Sequence, residues 1–348
     1  MSTIRDYGLI PGRLSPGPRN SITDVPGVLV GHCTVRTPDH NTGVTLILPR
    51  PEVYFHKCTA AASVINGYGK TAGLVQIQEL GQLETPIALT NTLGVGRVWD
   101  ALVQLTADQC AARGKVLRSV NPVVAECNDG TLNHIARRVI GEAEVRQALA
   151  DARPDFAQGC VGAGTGMICH ELKGGIGSAS RVVEAGDRRF HLGVLALCNH
   201  GQLEELTVVG RRIGPAIRDR LNTPPRPADK GSCILVLATD LPLSSRQLGR
   251  VTRRCAVGLA RCGSYWGHGS GDIAIGFSTA RDIDPEEPGP LLTQTVWRED
   301  SLDPVFAAAA EAAEESVLNA LAAAVPMTGY DGTHCHALCE FADLLGAN

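Results

Sequence analysis

No apolar run in this 348-residue chain approaches the roughly 18 residues that a membrane-spanning helix needs, so the sequence offers no bilayer span. The opening stretch Met1-Ser2-Thr3-Ile4-Arg5-Asp6 lacks the apolar core of a secretory signal, and the expected compartment is the cytosol. Neither sign of charge dominates: 32 basic against 36 acidic residues leave −4, and the arginines are scattered, so there is no nucleic-acid footprint. No internal repeat or low-complexity linker divides the chain. At 44% hydrophobic it can bury a large core, as one α/β domain or two.

Several chemical motifs are incomplete. Gly69-Lys70-Thr71 resembles the end of a P-loop, but Val64 stands where the motif needs its first glycine. Gly162-Ala163-Gly164-Thr165-Gly166-Met167 has methionine in place of the third glycine of a dinucleotide fingerprint, and reads as a turn. Gly267-His268-Gly269-Ser270-Gly271 lacks the glycine two places before Ser270 that a nucleophile elbow requires. The twelve cysteines occur singly, often inside apolar runs (Cys198, Cys233, Cys255), and are expected as reduced, core-filling thiols. Soft ligands crowd only in His334-Cys335-His336-Ala337-Leu338-Cys339. Structural zinc usually draws paired spacings from two separated segments, no second cluster of that kind exists, and no metal is expected.

What is present is a mixture of buried strands and amphipathic helices. Val44–Leu48, Ile87–Thr90, Leu192–Leu197, Cys233–Ala238 and Ile273–Phe277 are short apolar runs bounded by Gly, Pro or Asp, the pattern of strands covered on both faces. Helices are expected over Arg97–Arg113, from a Ser244 or Ser245 cap to Gly263, and from Asp303-Pro304 to Val325, the last with Glu311, Glu314 and Glu315 on an exposed face. Shorter helices are expected over Leu203–Leu221 and Leu132–Val139. Between Leu221 and the next strand, Asn222 to Lys230 is proline-rich and polar, the best candidate for an exposed loop.

That loop ends at Gly231-Ser232, with Ser232 heading the run Cys233-Ile234-Leu235-Val236-Leu237. Two readings fit: a serine that begins a strand after a turn, or a self-cleavage point that creates an N-terminal serine. In the second, the new α-amine, with an ordinary pKa near 7.7–8.0, serves as the base for its own hydroxyl.

Along most of its length the chain resembles the self-processing aminopeptidases of the DmpA type, which include L-aminopeptidase/D-amidase and β-peptidyl aminopeptidases. The resemblance runs through Ile22-Thr23-Asp24-Val25-Pro26-Gly27-Val28, Glu84 to Leu93, Glu126-Cys127-Asn128-Asp129-Gly130, Gly174-Gly175-Ile176-Gly177, Asn199, Gly231-Ser232 and Gly269-Ser270-Gly271-Asp272, with Phe277-Ser278-Thr279-Ala280 following. It implies a four-layer αββα sandwich, one domain over 1–348, cut into residues 1–231 and 232–348. It also implies Ser232 as nucleophile and Asn199 as oxyanion donor. Ser270 and Asp272 would stand near the nucleophile's amine, and Glu126 would hold the substrate's ammonium. Asn128 stands where some members carry a carbonyl-polarising tyrosine, and Asp272 where some carry glutamate. No cofactor is implied; the partner is a small peptide or amide, and the assembly is a homo-oligomer, a tetramer of processed heterodimers. Two rivals remain at this stage, an endo-amidase that cuts internal amide bonds of oligomers and an uncleaved, non-enzymatic binding protein on the same fold.

Overall fold

Alternation along the central strands sets the layers of this molecule, described over residues 2–225, 231–291 and 293–346 of a computed structural model. One sheet has the spatial order β1 (Leu29–Thr37), β2 (His40–Leu48), β5 (Ile87–Asn91), β6 (Val123–Cys127). The other runs β4 (Gln82–Leu83), β3 (Lys57–Gly67), β14 (Gly271–Ile283), β13 (Ser232–Thr239), β10 (Arg188–Asn199), β9 (Gly175–Ala185). Three small hairpins pair β7 (Ile168–Cys169) with β8 (Leu172–Lys173), β11 (Thr207–Val208) with β12 (Arg211–Arg212), and β15 (Met327–Thr328) with β16 (His334–Cys335). The helices are α1 (Leu74–Leu80), α2 (Val95–Ala112), α3 (Glu142–Ala150), α4 (Gly214–Leu221), α5 (Ser245–Thr252), α6 (Cys255–Arg261) and α7 (Asp303–Ala322).

On β13, Ile234, Val236 and Ala238 face the first sheet and pack with Ile87, Leu89, Val123 and Ala125. Cys233, Leu235 and Leu237 face the other way, into a cluster with Leu248, Leu259 and Val317 of α5, α6 and α7. Beyond the first sheet, Val98 and Leu102 of α2 and Val145 of α3 close over Val44, Leu46, Ala88 and Val124. The result is the αββα order, helix on sheet on sheet on helix. Because both faces of β13 are covered, all eight of its residues are buried and its sequence shows no polar alternation.

All five expected strands form, as do the first helix and the last, within a few residues of their expected ends. Three helical expectations fail. The helix after Ser244 breaks at Arg253 and Arg254 into α5 and α6, and Thr252 returns its hydroxyl to the Leu248 carbonyl at 2.8 Å, a bond that bends helices. Of Leu203–Leu221 only α4 and a 3-10 turn at Leu203–Glu205 are helical, because the β11–β12 hairpin intervenes. Of Leu132–Val139 only the turn Ile135–Arg137 is. Arg226 to Lys230, the end of the expected loop, lie outside the described residues. The cysteines are all free thiols, eleven of them buried, and burial pushes those of Cys233 and Cys255 up to about 12.

The expectation for the glutamates of α7 is overturned. Glu311, Glu314 and Glu315 are all buried, because this helix is crossed by the N-terminal segment and lies on β9 and β10. Arg181, fully buried on β9, bonds Glu311 Oε2 at 3.0 Å and Glu315 Oε2 at 2.8 Å, and its remaining N–H groups reach the carbonyls of Ser180 and Pro11. Arg5 closes on Glu315 Oε1 at 2.5 Å. Removing Arg181 would leave Glu311 without its cation in the core and Glu315 with Arg5 as its remaining one. Arg181→Met is therefore expected to cost about 3–5 kcal/mol of unfolding free energy in urea. Arg298→Ala, which removes the exposed pair with Asp300, is expected to cost no more than about 1 kcal/mol. Equal losses would show that the cluster contributes nothing beyond surface pairing.

Candidate active site

The ends of three adjacent strands meet at Ser232. As the first residue of β13 it lies opposite Asn199, the last of β10, on one side and opposite Gly271, the first of β14, on the other. The Gly271 N–H stands 3.2 Å from Ser232 Oγ and 3.2 Å from the Gly231 carbonyl oxygen. Gly231 is required by crowding rather than by a left-handed backbone: a β-carbon there would stand 2.2 Å from the Asn199 carbonyl oxygen. Gly271 is similarly confined, its would-be β-carbon 2.8 Å from the Gly69 Cα.

Asn199 is nearly buried, and its Oδ1 accepts the Ile168 N–H at 2.8 Å, which commits the oxygen and leaves Nδ2 as the donor end. Ile168 opens the β7–β8 hairpin, and that hairpin is held by a fully buried lysine. Lys173 Nζ donates to the carbonyls of Met167 and Gly174 at 2.8 Å and of Gly164 at 3.2 Å, and burial lowers its pKa. The segment read as an incomplete dinucleotide fingerprint is thus a carbonyl cradle for Lys173. Cys169, Cys198 and His200 bring donor atoms within 4.8 Å of one another in the core, where burial holds both thiols well above the ordinary range.

Ser270 and Asp272 are fully buried at the start of β14, beside β13. Ser270 Oγ has no hydrogen-bond partner among the described residues, while its carbonyl accepts the Tyr68 N–H at 3.2 Å. Asp272 is in register with Cys233, one residue past Ser232, and its charge helps to raise the Cys233 thiol. The Asn66 side chain donates to the carbonyls of Gly267, His268 and Ser270, clamping the turn that delivers the Gly271 N–H.

Glu126 comes from the other sheet. It is in register with Thr90 near the end of β6, is almost wholly buried, and accepts the Lys70 N–H at 2.9 Å and the Thr92 hydroxyl. A β-carbon on Gly69 would be 3.8 Å from Glu126 Oε1 and 3.6 Å from the Gly271 Cα, so Gly69 stands between the Glu126 carboxylate and Gly271, the neighbour of Ser232. The next residue ties the sheets together: Cys127 donates its S–H to the Ser232 carbonyl at 3.3 Å. Asn128 is exposed, and its Oδ1 accepts the Gly130 N–H at 2.9 Å, a turn-closing role.

Of the site residues expected from the sequence, Ser232, Asn199, Ser270 and Asp272 lie at or next to the ends of β13, β10 and β14, and Glu126 approaches them from the other sheet through Gly69, while Asn128 is exposed on the turn after β6. Missing from that expectation are Asn66, Thr92, Lys173 and the N–H groups of Lys70, Ile168 and Gly271. Backbone donors leave no mark in a sequence, whereas Thr92 lies inside the motif that precedes α2.

A buried serine, an amide and a carboxylate at converging strand ends suit acyl transfer from an amide, and a peptide-bond hydrolase is the class this arrangement defines. Residues 20–335 match the model of peptidase family S58, and the chain belongs to that family. It is similar to the β-peptidyl aminopeptidase BapA of Sphingosinicella xenopeptidilytica, 39% identical over 347 residues that cover 93% of this chain and 86% of the relative. Its fold matches the PH0078 protein of Pyrococcus horikoshii with a TM-score of 0.92 and 43% identity, over 98% of this chain and 97% of that one. It matches an L-aminopeptidase D-Ala-esterase/amidase of Ochrobactrum anthropi, described as a prototype for the serine aminopeptidases and a variant of the Ntn hydrolase fold. There the TM-score is 0.89 at 37% identity, over 99% of this chain and 100% of that one. Among the described residues no helix is long and apolar enough to cross a membrane.

Asp129 anchors the turn that carries Glu126 and Asn128. Its carboxylate accepts from Thr42 Oγ1 at 2.5 Å and Asn133 Nδ2 at 2.9 Å, yet burial outweighs those bonds and raises its pKa from 3.8 to about 6. Between those values the folded chain holds a proton that the unfolded chain has lost, so this group's contribution to stability falls as pH rises through the window. A shift of this size is worth about 3 kcal/mol. Asp129→Asn cannot ionise, and the unfolding free energy of the parent relative to this variant is expected to drop by about 1–3 kcal/mol between pH 4.5 and 7.5. A pH-independent difference would contradict the assignment.

Proposed function

We propose that this chain is a self-processing serine aminopeptidase acting on small peptides or amino-acid amides. The observation that carries the reading is the Gly271 N–H, equidistant at 3.2 Å from the Gly231 carbonyl oxygen and from Ser232 Oγ. One donor near both atoms keeps the hydroxyl beside the carbonyl it would attack and polarises that carbonyl. In processing, Oγ bonds to the Gly231 carbonyl carbon, the Gly231–Ser232 amide breaks, and its nitrogen takes the hydroxyl proton. Water then hydrolyses the ester, leaving a Gly231 carboxylate and a Ser232 that carries both hydroxyl and free α-amine.

In turnover the amine takes the proton from Oγ as the oxygen attacks the substrate carbonyl, and passes it to the leaving amine; water releases the acyl group. Asn199 Nδ2 is the proposed oxyanion donor, a contact whose loss typically costs about 100- to 1000-fold in turnover. Ser270 and Asp272 are proposed to orient and stabilise the ammonium formed on Ser232. Glu126 is proposed to bind the substrate's free amine, and Asn128, through Nδ2, to support the carbonyl where some relatives use tyrosine. The names of the relatives span β-peptidyl and L/D substrates, so the proposed substrate class is an amide next to a free α- or β-amine. As the resemblance implies, the assembly proposed is a cytosolic tetramer of processed heterodimers.

Intact mass under denaturing conditions tests the processing. Two species, residues 1–231 and 232–348, are expected, with Ser232→Ala giving one full-length species and no hydrolysis. A parent chain that stays full-length for days, or a processed Ser232→Ala chain, would overturn the mechanism. The amine clamp has its own test. Glu126→Gln is expected to lower kcat/KM on free-amine substrates about 100-fold, the scale of a charge-assisted hydrogen bond, and the parent should not cut their N-acetyl forms. Efficient cleavage of N-acetylated oligomers would favour the endo-amidase instead.

A further inference from the structure

Outside the hydrolytic machinery, the C-terminal hairpin gathers a second set of chemically active side chains. In the sequence, His334, Cys335, His336 and Cys339 looked like one group of soft ligands. Strand alternation separates them: Cys335 turns inward to pack with Leu132, Cys160, Ala324 and Met327, while His334 and His336 share the opposite face of the chain. Their rings stand edge to face with centroids 4.7 Å apart. The third member is a residue that cysteine and histidine spacing could not reveal. Glu340, in the first turn of the 3-10 segment Leu338–Leu344, brings Oε2 to 3.2 Å from His336 Nδ1, and the same oxygen accepts the Ala337 N–H at 2.8 Å.

One donor atom from each of His334, His336 and Glu340 lies within 4.8 Å of the other two. Donors bound to one tetrahedral zinc at about 2.0–2.2 Å stand about 3.3–3.5 Å apart, so the His336–Glu340 edge already has nearly that length. The remaining ligand, His334, is exposed, and one of its ring nitrogens, Nδ1, lies 3.4 Å from the Thr328 hydroxyl. Two imidazoles and one carboxylate suit zinc, nickel or copper rather than calcium or magnesium, which take oxygen ligands. We propose that His334, His336 and Glu340 bind one divalent late-transition-metal ion, zinc or nickel, with water in the remaining positions. The site is anchored to the oxyanion side of the molecule, because the His336 carbonyl accepts the Lys173 N–H at 2.6 Å and the hairpin of Lys173 carries the Ile168 N–H that holds Asn199.

Calorimetric titration of metal-free protein with zinc and with nickel tests the site without reference to peptide hydrolysis. One ion per chain is expected, with His334→Ala, His336→Ala and Glu340→Gln each weakening binding by about 100-fold or more. Cys339→Ser, which removes the exposed thiol nearby, is expected to leave the affinity unchanged. The His334 variant separates this site from a mere His336–Glu340 ion pair, since that pair survives without His334. Absence of saturable binding, or binding that persists in both the His334 and Glu340 variants, would overturn the proposal.

Discussion

A single backbone N–H, that of Gly271, organises this site. It can face both the Gly231 carbonyl and the Ser232 hydroxyl only because β13 and β14 start level with each other, in parallel register from Ser232 and Gly271 onward. The level start requires that nothing stand between the strand ends. Hence Gly231 meets the Asn199 carbonyl and Gly271 meets Gly69 at distances that exclude any side chain. Asn66 then fixes the preceding turn by donating to its carbonyls. Position here is maintained by backbone contact, which is stiffer than any arrangement of long side chains.

The second sheet supplies what the first cannot. Strand ends can place a nucleophile and donors, but a buried anion needs donors around it and a route to its target. Glu126 obtains both by standing on β6, bonded by Lys70 N–H and Thr92, with Gly69 as the spacer toward Gly271. The Cys127 contact to the Ser232 carbonyl sets how far apart the two strand ends lie. Sheet stacking is therefore part of the site's geometry as well as the main source of its core. A shift of β6 along β5 would move the carboxylate away from Ser232.

How much of this was legible depended on whether side chains or backbone carried the information. The strands were readable because runs such as Cys233–Ala238 are apolar on both faces and bounded by turn residues. Ser232, Asn199, Asp272 and Glu126 were named because their side chains lie in motifs that resemble a known family. The glutamates of α7 mislead because three carboxylates on an alanine-rich helix read as its solvated face, while Arg181, which pairs with Glu311 and Glu315 in the core, is 130 residues away from Glu311. The helix expected over Leu203–Leu221 failed where a two-residue hairpin interrupted a sequence of adequate helix formers. Gly271 carried no signal beyond being a glycine, since the group that matters there is its N–H.

The same backbone logic explains how one domain could survive a cut between Gly231 and Ser232. Within β13, residues 232 to 239 pair with Leu192–Asn199 on one side and with Gly271–Ser278 on the other. Of those partnerships, the one between Ser232 and Gly271 uses the Gly231–Ser232 peptide group, through the Gly271 N–H on the Gly231 carbonyl. The segments on either side of that bond also share both inner cores: Leu195, Leu197, Ile234 and Val236 lie in one cluster, and Val194, Ala196, Leu235 and Val317 in the other. Breaking the bond would therefore remove one covalent restraint and free one ladder carbonyl while leaving residues 233 to 239 of the central strand paired on both sides and buried. The new amine would emerge at the end of that strand, held between Asn199 and Gly271 by the ladder that formed before the cut.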